Sequence, residues 1–280
     1  AAGSYQPSLG QASCILSDPG HYVPEVRSET QVACLLGTFQ AYSGASSCTP
    51  AEPGHYVDSN GSATQTECPP TTYNPATGSD DRDDCIDVDP GHYSDEWGTG
   101  EQLECTPGTY QPNSGQTSCL DSDPGYFVAS SGATSQSSCP AGTYNPSEAS
   151  GSAADCAPAE PGHYVDNQAS PSQTPCSPGT YQDSLGQMSC IEASPGHYVY
   201  EDGQAEQTPA PLDTYASGAG STSTEDCPES HITLQEGADS EDDCFLDTDG
   251  DRTHDPADTD DDNDGVDDGI DMCPLGLMGW

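Results

Sequence analysis

Lysine is absent from this chain of 280 residues, and Arg27, Arg82 and Arg252 are its three basic side chains, set against 48 Asp and Glu for a formal net charge of −45. A surface so short of cations has nothing to offer a phosphate backbone or an anionic headgroup, so nucleic acid is excluded as a partner. Self-repulsion on that scale is tolerable when the shape is extended, when salt screens it within ~8 Å, or when divalent cations neutralise it. Long apolar runs are missing too. No stretch approaches the ~20 apolar residues that span a bilayer, which argues against membrane insertion. Only 31% of the residues are hydrophobic, too few for one large globular core. Catalytic constellations are also lacking: there is no nucleophile motif, phosphate loop or open metal site, and the carboxylates are too dispersed to nominate a general acid and base. An enzyme is not expected.

What the chain has instead is glycine (30), proline (25) and cysteine (14). Gly and Pro at that level alone would suggest disorder, but cysteines at regular intervals point to many small units, each closed by a cross-link in place of a core. Such cross-links need an oxidising compartment, so the protein is expected to be extracellular or at the cell surface. The start, Ala1-Ala2-Gly3-Ser4, reads as a mature end left by removal of a secretion signal.

One aromatic recurs every 17 residues. Tyr5, Tyr22, Phe39, Tyr56 and Tyr73 share that step, as do Tyr93, Tyr110, Phe127 and Tyr144, and then Tyr164, Tyr181, Tyr198 and Tyr215, with steps of 20 between the sets. Three steps of 17 and one of 20 give a super-period of 71, which the cysteines obey: Cys34, Cys105 and Cys176; Cys48, Cys119 and Cys190; Cys14, Cys85, Cys156 and Cys227. Each unit reads as Pro-Gly-Thr/His-Tyr, a few polar residues, Gly, then Ser/Thr-rich sequence, which is turn chemistry alternating with short extended pieces. The fold class this predicts is small, disulfide-rich, mostly β and irregular: an elongated solenoid-like rod of 17-residue units with almost no helix.

Two kinds of unit alternate. One is a loop flanked by cysteines, as in Cys105-Thr-Pro-Gly-Thr-Tyr110 through Cys119; the other, as in Asp18-Pro-Gly-His-Tyr-Val23, has no opening cysteine, with Ser17, Ala51, Ser122, Ala159 and Ala193 in its place. Backbone pairing and aromatic packing are expected to hold the second kind. The pattern Cys, x, Pro, Gly, Thr, Tyr, then Gly and a closing Cys resembles the ephrin-receptor-like repeats and the first submodule of tumour necrosis factor receptor cysteine-rich domains, over most of residues 1 to 244. The resemblance implies that the two cysteines of a loop pair with each other. It also implies that the aromatic five residues after the first, here Phe39, Tyr73, Tyr110, Tyr144 and Tyr181, packs on the bridge. The further cysteine pair usual in those families is missing.

The register leaves two pairing schemes. Short loops give Cys34 with Cys48, Cys68 with Cys85, Cys105 with Cys119, Cys139 with Cys156, and Cys176 with Cys190. Cys227 with Cys244 completes the set, with Ile232 at the aromatic position and Gly237 matching Gly78. The rival pairs across the 20-residue intervals, Cys14 with Cys34, Cys48 with Cys68 and so on, and leaves Cys190 facing Ala210. The first is preferred, and each of its loops would remove ~3 kcal/mol of unfolded-state entropy. It leaves Cys14 and Cys273. Residues 1 to 14 align with 177 to 190, so Cys14 closes a loop without an opener, and Cys273-Pro-Leu-Gly276 resembles an opener without a closer. Either one molecule completes the next, head to tail and covalently, in a contact that does not close and so builds a filament, or the chain is a piece of a longer protein.

The acidic end carries the one motif with specific chemistry. Asp260, Asp262, Asp264, Gly265, the Val266 carbonyl, Asp268 and Asp271 occupy positions 1, 3, 5, 6, 7, 9 and 12 of a calcium loop. A preceding loop offers Asp247, Asp249, Asp251, the Thr253 carbonyl, Asp255 and Asp258, with Arg252 where Gly should be. The run from Asp247 to Cys273-Pro resembles thrombospondin type 3 repeats, which implies acidic chain wrapped around calcium. No flanking helices are evident, so a calcium-sensing switch is not expected.

Lesser features complete the reading. His21, His55, His92, His163 and His197 come one to a double unit, too sparse for zinc and better suited to packing or hydrogen bonding. Asn60-Gly61-Ser62 is an N-glycosylation sequon, which leaves room for glycans. The apolar tail Leu275 to Trp280 is expected to dock on a neighbouring unit or another molecule. Residues 1 to 244 should therefore form the cysteine-rich repeat rod and 245 to 280 a calcium-binding segment and tail. The expected role is an extracellular structural subunit of a head-to-tail filament whose partners are copies of itself; the alternative is a fragment of an adhesin or receptor-like binding module.

Overall fold

A computed structural model describes residues 1–8, 10–271, 273 and 275–276. Among them there is no α-helix. The regular structure consists of 28 strands of two or three residues, arranged in two-stranded sheets, and four 3-10 turns. The chain is thus a disulfide-rich, mostly β and irregular repeat fold.

Each 17-residue unit is one hairpin, whose first strand ends in the recurring aromatic. That aromatic faces a residue ten positions later: Tyr22 faces Val32, Tyr56 faces Thr66, Tyr93 faces Leu103 and Tyr181 faces Ile191, all antiparallel. In the units behind the 20-residue steps, Tyr73 faces Ile86 and Tyr144 faces Ala157. Their three additional residues are the 3-10 turns Arg82–Asp84 and Ala153–Asp155, and a third such turn, Glu241–Asp243, precedes Cys244. The closing aspartate of each ties the turn down. Asp84 Oδ2 accepts from the N–H groups of Asp80 and Asp81, Asp155 Oδ2 from Ser152, and Asp243 Oδ2 from Asp239. A 20-residue step is therefore an ordinary hairpin with a capped turn inserted in its loop.

The hairpins form two compact units, one of residues 1–137 and 147–155, the other of residues 138–146 and 156–280. Within the first, the Gly20 N–H donates to Gln40 O at 2.7 Å, Gly37 to Val57 O at 2.8 Å and Gly54 to Asn74 O at 2.7 Å. Gly61 donates back to Cys34 O at 2.7 Å and Gly78 to Ala51 O at 2.8 Å. The second repeats the pattern, with Gly162 donating to Gln182 O and Gly179 to Val199 O, both at 2.7 Å, and Gly203 to Cys176 O at 2.8 Å. Each hairpin is thus tied to the next and to the next but one. That satisfies backbone groups which two-residue strands would otherwise strand.

Burial follows the same bookkeeping. The position five before each aromatic is fully buried whatever occupies it: Ser17, Cys34, Ala51, Cys68, Val88, Cys105 and Ser122 in the first unit, and Cys139, Ala159, Cys176, Ala193 and Ala210 in the second. The position after the aromatic makes a second buried column, apolar at Val23, Val57, Val165 and Val199 and polar at Asn74, Gln111 and Gln182. The polar members are satisfied: Gln111 Nε2 donates to Ser118 O and Gln182 Nε2 to Ser189 O, both at 2.8 Å. The core is two files of small side chains, and the aromatics beside them are only half-buried.

Most hairpins without a cystine have a closure that spacing arguments missed. Asp18 N–H donates to Gln31 Oε1 at 2.8 Å while Gln31 Nε2 donates to Asp18 Oδ2 at 2.7 Å. The same reciprocal clamp joins Glu52 to Gln65, Asp89 to Gln102, Asp123 to Gln136 and Glu160 to Gln173, and Ser194 keeps its backbone half with Gln207. Each clamp spans 13 residues, against 14 for the short cystine loops, so it closes a hairpin at nearly the same place.

The Pro-Gly glycine is required by contact as well as by conformation. Gly54 has φ +81°, and a Cβ there would overlap the Gly98 carbonyl. Gly54→Ala is expected to cost roughly 2 kcal/mol or more in chemical denaturation, whereas Gly218→Ala, with open space around it, should be nearly neutral; equal midpoints for the two would contradict the packing described.

Candidate metal centre and hairpin closures

Six cystines are formed: Cys34–Cys48, Cys68–Cys85, Cys105–Cys119, Cys139–Cys156, Cys176–Cys190 and Cys227–Cys244, with Cα–Cα separations of 5.6 to 5.8 Å. This is the short-loop scheme, and pairing across the 20-residue intervals is ruled out. Cys14, exposed, and Cys273, half-buried, are free thiols. In the last cystine hairpin Ile232 stands at the aromatic position opposite Phe245. Phe39, Tyr73, Tyr110, Tyr144 and Tyr181 are half-buried.

Two aspartate triplets each bring three carboxylate oxygens within 4.8 Å of one another: Asp247, Asp249 and Asp251, and Asp260, Asp262 and Asp264. Local sequence forces this. In each loop the residues at positions 1, 3 and 5 accept from backbone N–H groups further along the same turn. Asp247 accepts from Gly250 and Arg252, Asp249 from Asp251, and Asp251 from Thr253. Thirteen residues on, Asp260 accepts from Asp264 and Gly265, Asp262 from Asp264, and Asp264 from Val266. Position 6 has positive φ in both, 92° at Gly265 and 76° at Arg252. Arg252 therefore adopts the conformation that its side chain disfavours, and its guanidinium is held by Asp213 at 2.7 Å. The first loop is also anchored below: Asp247 is 3% exposed and its N–H donates to Ser230 O at 2.8 Å. Asn263 Nδ2 donates to Asp249, joining the two loops.

The remaining sequence-predicted ligand carboxylates accept hydrogen bonds as well. Asp255 takes both the N–H and the hydroxyl of Thr248, and Asp268 Oδ1 takes the N–H of Asp261, the same contact one loop later. Asp258 Oδ1 accepts from Thr259 and Asp260. At position 12 of the second loop, Asp271 Oδ1 accepts from Cys273, while its Oδ2 is shielded from solvent with no hydrogen-bond partner, as is Asp261 Oδ1. The Asp261 carboxyl is pushed up to about 6, by desolvation first and then by the charges of Asp268, Asp255 and Asp258. Asp249 is also raised: the hydrogen bond from Asp251 lowers it, but desolvation and the charges of Asp251, Asp258 and Asp247 outweigh that. Crowded carboxylates and stranded oxygens fit a hard divalent cation, and each triplet can hold one.

Other predicted sites lie apart. Asn60 is exposed, and its Oδ1 accepts from Leu36 N–H at 3.0 Å. In His21, His55, His92 and His163, Nδ1 lies 3.1 to 3.3 Å from the carbonyl two residues earlier, and no histidine joins a metal-ligating group among the described residues. The docking expected of the tail falls on Leu277 to Trp280, outside the described residues.

Residues 91–139 match the family described as tyrosine-protein kinase ephrin type A/B receptor-like. They comprise a clamped hairpin, the Cys105–Cys119 hairpin and the clamped hairpin after it, up to Cys139. No curated protein matches the chain. The matched module is a non-catalytic, extracellular, cysteine-rich one, and six cystines fit the same oxidising compartment. No helix among the described residues is long and apolar enough to cross a membrane.

Alkylation of the unreduced chain should leave the twelve paired cysteines untouched; labelling of any of those twelve by peptide mass mapping would break the assignment. Arg252→Gly relieves a disfavoured backbone worth roughly 1 to 2 kcal/mol and loses an exposed ion pair worth at most about 1 kcal/mol, so it should be tolerated. Arg252→Val keeps the strain without the ion pair and should melt earlier than both.

Proposed function

We propose that this chain is an extracellular structural protein: a cysteine-rich repeat segment of residues 1 to 244 and a calcium-binding segment of residues 245 to 280, linking head to tail with copies of itself into a filament or surface fibre. The observation that carries it is the pair of free thiols. Cys14 stands at the closing position of a loop of the Cys34–Cys48 kind, and Cys273 begins a Cys-Pro-Leu-Gly stretch like a loop opener. A bridge from Cys273 of one molecule to Cys14 of the next would complete that loop, and a contact between two different surfaces continues indefinitely instead of closing.

Calcium is the cation proposed for the two triplets. The donors are all oxygens, position 6 turns back as a calcium loop requires, and the run resembles thrombospondin type 3 repeats. Asp247, Asp249 and Asp251 would hold one ion and Asp260, Asp262 and Asp264 the other, with Asp271 Oδ2 available to the second. The ion supplies positive charge to carboxylates that otherwise repel. Extracellular calcium is abundant enough to fill even a weak structural site. The match over residues 91–139 favours a second reading, a receptor-like or adhesin module that presents its hairpins to a ligand. N-linked glycan at Asn60 is compatible with either.

Non-reducing electrophoresis and electron microscopy of native material separate the two readings. A ladder that collapses on reduction, with regular fibres of one subunit, is expected; monomers carrying two free thiols would leave the binding module. Calcium titration followed by calorimetry should show two sites per chain, with Asp260→Asn plus Asp264→Asn removing one of them. Heat unchanged in that double variant would reject the second triplet as a site.

A further inference from the structure

The cystines divide the chain into locked and unlocked stretches, four of the unlocked ones equal in length. From four closing cysteines to the next opener, Cys48 to Cys68, Cys85 to Cys105, Cys119 to Cys139 and Cys156 to Cys176, the step is 20 residues, and from the fifth, Cys190 to Cys227, it is 37. The super-repeat alternates loops of 14 and 17 residues, yet this irregularity never reaches the spacers, because the inserted 3-10 turns Arg82–Asp84 and Ala153–Asp155 lie inside the cystine loops. Each of these four spacers contains one clamped hairpin: Glu52 with Gln65, Asp89 with Gln102, Asp123 with Gln136, and Glu160 with Gln173.

We infer that the fold is a serial extension device in which the clamped hairpins open first and the cystine hairpins stay shut. Tension entering a cystine hairpin at its opener crosses the sulfur bridge and leaves at the closer, so the loop bears no load. In the spacer the same tension falls on a pair of exposed hydrogen bonds and the backbone ladder. A hydrogen bond in water contributes about 1 kcal/mol net, and it is non-covalent, so it yields while the bridge holds. Opening a spacer releases 20 residues, about 7 nm of contour at ~3.5 Å per residue. The four equal spacers give equal steps and the 37-residue stretch from Cys190 to Cys227 a longer release of about 13 nm, and the chain recoils once the load is removed because every cystine hairpin remains as a template beside it. This goes beyond the filament reading and does not need it, since it concerns hairpins within one chain.

Two measurements test it. Single-molecule stretching of the full oxidised chain between terminal handles should show recurrent steps of about 7 nm, and reductant should add roughly 30 nm to the final contour by freeing the six loops. Loss of all structure in one event overturns the inference, whatever gels show about polymerisation. Hydrogen exchange of the unmodified protein, read by mass spectrometry, should find residues 52–66 and 89–103 exchanging faster than residues 105–119. Equal protection overturns it as well, without reliance on a variant that fails to fold. Gln102→Leu should lower the force of one step and leave the others unchanged; an unaltered force distribution would remove the clamp from the account.

Discussion

Closing a hairpin across its mouth is the constraint from which the rest follows. Two-residue strands cannot hold themselves together by burial, and the buried files of Ser, Ala, Cys and Val offer small side chains. A fully buried Val contributes roughly 1.5 to 3 kcal/mol and an Ala far less, while fixing the backbone of each residue costs about 1 to 2 kcal/mol. The entropy must be removed from the unfolded chain instead. A cystine does so covalently; the Gln and carboxylate clamp does so reversibly. Their alternation lets a hairpin of either kind lean on a neighbour of the other, through backbone bonds that reach the next unit and the one beyond it.

That division of labour explains which features were legible in the sequence. A packed position leaves a periodic trace, so the aromatic every 17 residues and the cysteine super-period of 71 marked the hairpins and narrowed the cysteine pairing to two schemes. The clamps were written at a fixed spacing too, Asp18 to Gln31 and Glu52 to Gln65, but Asp, Glu and Gln are common exposed residues in a chain of such composition. Without burial to single them out, their recurrence carried no signal that they touch. The inserted turns were visible only as a step of 20; that an aspartate caps each of them is a hydrogen-bond fact that length alone does not contain.

The acidic loops show the opposite limit. Their ligand spacing was readable because a loop that folds carboxylates inward fixes the intervals between them, and the glycine at 265 marked its turn. Arg252 concealed the equivalent turn in the first loop, since a long cationic side chain is a poor predictor of positive φ. Its backbone N–H is held inside the loop by Asp247, and its guanidinium outside it by Asp213. Asp255 and Asp268 were read as ligands from their places in the loops, and both carboxylates also accept from the start of their own loops, Thr248 and Asp261. Those contacts draw each loop's position 9 back onto the residue after its first aspartate.

Asp213 also accounts for where the acidic segment sits. The hairpin of Thr214–Tyr215 and Glu225–Asp226 has neither a cystine nor a Gln clamp, because Ala210 replaces the opener and Pro211 stands where the carboxylate would be. Asp213, just ahead of it, donates its N–H to Thr233 Oγ1 at 2.9 Å and receives Arg252. Arg252 lies inside the first aspartate loop, whose leading residue, Asp247, is hydrogen-bonded to Ser230 of the following hairpin. The hairpin with neither closure is thus tied to the acidic segment. A hairpin with neither kind of closure and a loop of crowded carboxylates are therefore joined through one exposed ion pair, Arg252 to Asp213, and through the hydrogen bond from Asp213 to Thr233.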